Sequence, residues 1–154
     1  MIDNVSISHK DNNSGSKLFE ISMPRFGLGV WQMSDMECEA SILHALKNGY
    51  RLIDTATAYG NETAVGEAIR KSGIPRDEIF VVTKLRRVHA TGFDETIIQC
   101  KESLERLGLD YVDLYLVHAP PENISVRGEV WKAMEECLKL GLTRSIGVSN
   151  YGIK

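Results

Sequence analysis

Apolar residues run along this chain in two alternating rhythms. Continuous runs, such as Phe80-Val81-Val82 and Leu114-Tyr115-Leu116-Val117, are the pattern of parallel strands covered on both faces. Between them, apolar residues recur three and four positions apart, the period of an amphipathic helix. The clearest such stretch carries Ile97, Cys100, Leu104 and Leu107, with Gly108 just beyond as a stop. Residues 61–72 repeat the pattern through Val65, Ala68 and Ile69 before Gly73 and Pro75, and Val130, Met134, Cys137 and Leu138 repeat it before Gly141. An earlier helix opens on Ser34 with Glu37 three residues on, a capping box, and continues through Met36, Ala40, Leu43 and Leu46 to Gly49. Strands are expected at residues 26–30, 50–54, 79–83, 112–117 and 145–148, so strand and helix alternate throughout, as in a parallel α/β architecture.

The N-terminal end differs. Residues 1–17 are polar, ending Asn12-Asn13-Ser14-Gly15-Ser16-Lys17, and read as a disordered tail. Residues 18–23 alternate apolar and polar before Pro24, and read as a short strand across the floor of the domain that occupies 18–154.

Four polar residues mark the ends of the expected strands: Asp54, Lys84, His118 and Asn150, separated by 30, 34 and 32 residues. That interval is one strand–loop–helix–loop unit, so chemistry recurs at the C-terminal ends of successive strands. A (β/α) barrel builds its active site in this way, whereas an open nucleotide-binding sheet carries a glycine-rich phosphate turn after its first strand. The fold class expected is a (β/α)8 TIM-barrel type of which the first five strand–helix units are present. Five strands leave two open edges and inward-facing residues, read as Ile53, Val82, Leu116 and Ile146 or their neighbours, without an opposite wall, so self-association through those edges is expected.

Composition narrows the function classes. The 154 residues are 43% hydrophobic, enough for a packed core, and a net charge of −3 with a pI near 5.8 leaves no basic stripe for nucleic acid or an anionic membrane. The densest positive cluster, Arg86-Arg87 with His89 nearby, reads as a solvated loop. Cys38, Cys100 and Cys137 stand singly within helices and without metal-ligand spacing, as in a reducing compartment. No apolar run approaches the roughly 18 residues of a membrane span, and residues 1–6 lack a signal peptide's apolar stretch, so the cytoplasm is expected.

Asp54, Tyr59, Lys84 and His118 together describe an acid catalyst for carbonyl chemistry. A free phenol donates its proton poorly at neutral pH; a neighbouring ammonium stabilises the phenolate and makes it a better donor. Lys84 can supply that charge, Asp54 can hold it in place, and His118 can orient a substrate oxygen and share in proton delivery. Taken singly, each has a plainer reading. Asp54 would cap a turn, Tyr59 would be a surface aromatic, Lys84 would reach to the rim, and His118 would be a loop histidine. The recurrence of Asp54, Lys84 and His118 at one barrel period, together with a gapped signature that contains Asp54 and Tyr59, favours the catalytic reading. His44 and His89 have no such context, and a metal site on Asp54 and His118 finds no His-x-His or second strand-end histidine to complete it.

Gly49-Tyr50-Arg51-Leu52-Ile53-Asp54-Thr55-Ala56, followed by Glu62 and Val65-Gly66, reproduces a gapped signature with its internal spacing. With Thr83-Lys84-Leu85, the run from Asp113 to His118 and the run from Arg144 to Tyr151, the chain resembles the aldo-keto reductases over residues 18–154. The resemblance implies a nicotinamide-dependent oxidoreductase that reduces small aldehydes or ketones to alcohols. NADPH is the expected cofactor, with NADH not excluded. It also implies Asp54, Tyr59, Lys84 and His118 as the catalytic tetrad with Tyr59 as general acid. Asp54, Ser149 and Asn150 would lie at the cofactor, the last two on its nicotinamide carboxamide, and Trp31, Tyr59 and His118 at the substrate, with no metal. Many members carry tryptophan where this chain has Arg86 and Ala119, so the substrate wall departs from the family pattern. The family's last three strands, with the aromatic that stacks on nicotinamide and the groups that bind the pyrophosphate and 2′-phosphate, have no counterpart here. The chain is therefore expected to be a truncated, N-terminal portion, and a silent half-barrel acting by association with another chain is the alternative.

Overall fold

The computed structural model describes residues 4–10 and 18–152. Strands β1 (Asn4–Lys10) and β2 (Leu18–Pro24) form an antiparallel pair. A second sheet is parallel throughout: β3 (Leu28–Gly29), β4 (Leu52–Asp54), β5 (Phe80–Leu85), β6 (Leu114–Val117) and β7 (Ile146–Val148) lie side by side in chain order. Helices α1 (Asp35–Lys47), α2 (Glu62–Ser72), α3 (Phe93–Leu107) and α4 (Arg127–Lys139) fill the crossovers. This is the partial (β/α) barrel expected from the rhythm of the chain, with five parallel strands and, among the described residues, four α-helices between them. Among the described residues, no helix is long and apolar enough to cross a membrane.

Two apolar layers follow from the period-two alternation of the strands. Ile53, Val81, Leu85, Tyr115 and Val117 turn outward and pack with Ile42, Val65, Cys100, Leu104 and Met134 of the helices. Leu52, Phe80, Val82, Leu114 and Leu116 turn inward, where Ile7, Ile21 and Met23 of the hairpin cover them. The inward set thus differs from the expected one: Ile53 and Ile146 belong to the helix side, and Val82 is only 3% exposed. One residue of register separates the two assignments and exchanges the faces.

Two further expectations are corrected. Residues 4–10, read as part of a disordered tail, form β1, because Val5 and Ile7 alternate with polar residues and register opposite Met23 and Ile21. The rest of that stretch, 1–3 and 11–17, lies outside the described residues. In α1 the capping box forms as expected, with the Glu37 carboxylate accepting from the Ser34 backbone N–H at 3.0 Å. Its buried face, however, is Cys38, Ile42, Ala45 and Leu46, while Met36 is 82% exposed. The helix is apolar on two adjacent stripes, and contact with α2 and the sheet selects one. Cys38, Cys100 and Cys137 are all free and buried, and burial, with the Asp35 charge, pushes the Cys38 thiol up to about 11.

Candidate active site

The strand ends meet at one edge of the parallel sheet. Register places Asp54 beside Val82, Lys84 beside Leu116 and Leu116 beside Gly147, so residues two apart on β4, β5 and β6 share the inner face. After Asp54 the chain is held by buried polar contacts: the Thr55 N–H donates to the Val82 carbonyl at 2.9 Å, the Thr55 hydroxyl to Asn61 Oδ1 at 2.9 Å, and Asn61 Nδ2 to the Val30 carbonyl at 2.9 Å. These fix a short 3-10 turn, Thr57–Tyr59, closed by Gly60 at φ 74°, a left-handed conformation suited to glycine. The turn returns Tyr59 over the sheet.

Lys84 is 5% exposed. Its ammonium donates to Asp54 Oδ1 at 2.5 Å, to the Thr55 carbonyl at 2.9 Å and to Tyr59 Oη at 3.2 Å, which employs all three of its protons. A buried charge is costly unless paired and hydrogen-bonded; here both conditions are met. Because Tyr59 Oη accepts from Lys84, the phenolic proton is left to point elsewhere.

His118 follows β6, and its backbone N–H donates to the Leu85 carbonyl at 3.1 Å. Its ring meets that of Tyr59 edge-on, with centroids 5.6 Å apart at 78°. Burial first, and then the Lys84 charge, lower its pKa from the ordinary 6.5 against the opposing pull of Asp54, so the imidazole is uncharged at neutral pH. Beside it, Ser149 donates its N–H to the Val117 carbonyl at 2.8 Å. Asn150, at φ 59°, donates through Nδ2 to the His118 carbonyl at 2.7 Å and to Ser149 Oγ at 3.1 Å. That leaves a carboxamide oxygen as acceptor and the Ser149 hydroxyl proton as donor, a pair complementary to a primary amide.

The structure therefore brings Asp54, Tyr59, Lys84 and His118 into one cluster with Ser149 and Asn150 at its side. Trp31 is not part of that contact set. It stands 66% exposed at the exit of β3, and among the described residues its ring stacks on neither Tyr59 nor His118. The same residues show no group of His, Cys, Asp and Glu side chains arranged to hold a metal ion.

Behind the cluster lies a polar network that sequence reasoning did not assemble. The Glu62 carboxylate, its side chain 1% exposed, accepts from Thr83 Oγ1 at 2.6 Å and from Arg106 Nε at 2.7 Å. Arg106 also donates to Ser103 Oγ at 3.1 Å, and Ser103 shares a 3.0 Å hydrogen bond with the Thr57 hydroxyl. Thr83 precedes Lys84 and Thr57 lies two residues before Tyr59, so α2 and α3 hold both elements that meet at the phenol. Its signal in the sequence is faint: Thr83 interrupts an apolar run, and Ser103 falls on the apolar face of α3.

Fold and site together define a partial parallel (β/α) barrel with a buried polar cluster at its strand ends. The Aldo/keto reductase family model matches residues 23–154, and the chain belongs to that family. An aldo-keto reductase of Mycolicibacterium vanbaalenii is 56% identical over 130 residues, covering 84% of this chain and 46% of that protein. One of Mycobacterium avium is 54% identical over 132 residues, covering 86% and 46%. Among solved structures, an aldo/keto reductase from Brucella melitensis superposes with a TM-score of 0.82 at 42% identity, over 96% of this chain and 55% of the other. A Bombyx mori aldo-keto reductase solved in complex with NADP gives 0.80 at 35% identity, over 96% and 51%. The chain spans about half the length of the relatives it matches.

Proposed function

We propose that these residues carry the acid half of a carbonyl-reducing site that works with a nicotinamide cofactor, NADPH in the first instance and NADH as the variant. The cofactor, when bound, supplies hydride to the carbonyl carbon. Tyr59 gives its proton to the carbonyl oxygen as negative charge develops there, and Lys84, 3.2 Å from the phenol oxygen, stabilises the phenolate left behind. Asp54 holds the ammonium in place. His118, uncharged, donates a hydrogen bond that orients the substrate oxygen. Ser149 and Asn150 hold the carboxamide of the cofactor, and Trp31 forms an apolar wall for an aldehyde or ketone.

The observation that carries this reading is the buried Lys84 ammonium bridging Asp54 and Tyr59. A Tyr59→Phe variant in a full-length version of the protein tests it. Because the phenol donates only in the transition state, the variant should lose more than 90% of NADPH-dependent aldehyde reduction while keeping cofactor affinity, read by quenching of tryptophan fluorescence. Retention of more than about a tenth of kcat, a cost under about 1.4 kcal/mol, refutes the assignment.

The strand order ends at β3 and β7, which favours a second reading: a silent half-barrel that associates with another chain through those edges. Light scattering separates the two, since that reading requires a concentration-dependent complex and no saturable cofactor binding.

A further inference from the structure

Side chains alternate along a strand, and β5 shows the alternation through to its end. Thr83 and Leu85 turn to the helices, where they meet Glu62 and the outer core. Val82 and Lys84 turn inward, to the hairpin-covered layer and to Asp54. The backbone at Arg86 stays extended, at φ −65° and ψ 136°, so the next inward position belongs to Arg86. It stands about 6–7 Å beyond Lys84 along the strand direction, two residues at roughly 3.3 Å each.

Among the described residues two arginines near these strand ends lack a carboxylate partner, Arg127 beside Tyr151 and Arg86, and of the two Arg86 continues the inner face of β5. Lys84 is matched by Asp54 at 2.5 Å and Arg87 by Glu122 at 3.4 Å, and His118 is uncharged at neutral pH. Arg86 is exposed, and among the described residues no carboxylate engages it. A chain of net charge −3 thus presents a planar guanidinium fork on the face that bears the proposed acid. Such a fork matches the geometry of carboxylate and phosphate, and beside a neutral carbonyl compound it would remain in water and contribute nothing.

We propose that the substrate is a carbonyl compound bearing an anionic group, carboxylate or phosphate, several bonds from the carbonyl, and that Arg86 binds that group. The inference rests on the carbonyl-reducing reading above and names its substrate class. Matched pairs test it in a full-length version of the protein: 4-carboxybenzaldehyde against its methyl ester, and glyceraldehyde 3-phosphate against glyceraldehyde, each reduced with NADPH by the wild type, Arg86→Gln and Arg86→Lys. The wild type should prefer the charged member of at least one pair by about tenfold in kcat/KM, mainly through KM, the effect expected of one charge-assisted hydrogen bond. Arg86→Gln should bring that ratio to about one, Arg86→Lys should retain part of it, and added salt should lower it in the wild type and in Arg86→Lys but not in Arg86→Gln. Preference in the first pair identifies a carboxylate, in the second a phosphate. No preference in either pair, or a preference that survives in Arg86→Gln, overturns the proposal. Reduction of none of the four compounds refutes instead the carbonyl-reducing reading on which it rests.

Discussion

Replacing Gly66 by alanine should separate α2 from α3 and destabilise the fold. A Cβ built at this position lies 1.9 Å from the Leu107 carbonyl oxygen, 2.6 Å from its carbonyl carbon and 3.0 Å from its Cα. A carbon–oxygen contact normally settles at about 3.3 Å or more, so one helix must retreat by over an ångström. The obstructing atoms are backbone and cannot swing aside as a side-chain tip would. Overpacking of this kind costs about 1–3 kcal/mol, against up to about 1 kcal/mol gained from alanine's better helix propensity. A contact this short puts the cost at the upper end of that range, so the net loss expected is about 2 kcal/mol. Retreat of α3 also draws Arg106, the neighbour of Leu107, away from its 2.7 Å contact with Glu62. Urea denaturation followed by circular dichroism measures the change. Gly128→Ala is the control, since a Cβ at that helical position meets nothing within 4 Å and should leave stability unchanged or raised. A Gly66→Ala midpoint at or above wild type would refute the close-approach argument.

Four further outcomes are expected. Tyr59→Phe should abolish reduction with cofactor affinity kept, and Arg86→Gln should erase a preference for anionic substrates, as described above. In an NMR titration, His118 should show a midpoint below 6.5, moving upward in Lys84→Met because that variant removes the second cause of the lowering. A histidine with a depressed folded pKa contributes stability that is present above its unfolded value near 6.5 and lost as pH falls through the folded one, so a wild-type midpoint at or above 6.5 would contradict the burial described. Glu62→Ala should destabilise by about 2–3 kcal/mol, because Arg106 and the Thr83 hydroxyl lose a buried partner; a loss under about 0.5 kcal/mol in the same urea assay would show that the network is not coupled to the fold.

What the sequence by itself determined lies within a few residues of each position. The Ser34–Glu37 box, the helix stops at Gly73 and Gly108 and the strand-end places of Asp54, Lys84 and His118 all appear in the structure, because caps and period are local properties of the chain. Strand termini are shorter in places than their apolar runs: β3 holds only Leu28–Gly29 of an expected 26–30, since a strand ends where its neighbour's ladder ends. Only the tertiary structure decided which stripe of α1 is buried, that Asn4–Lys10 pairs with Leu18–Pro24, and that Ile53 faces the helices rather than the barrel interior. The network from Glu62 through Arg106 and Ser103 to Thr57 belongs with these. Its bonds join residues as much as 46 apart in the chain at 2.6 to 3.1 Å. Contacts of that kind depend on how two helices seat against one strand, and seating is fixed by packing between elements, which leaves no period in the sequence.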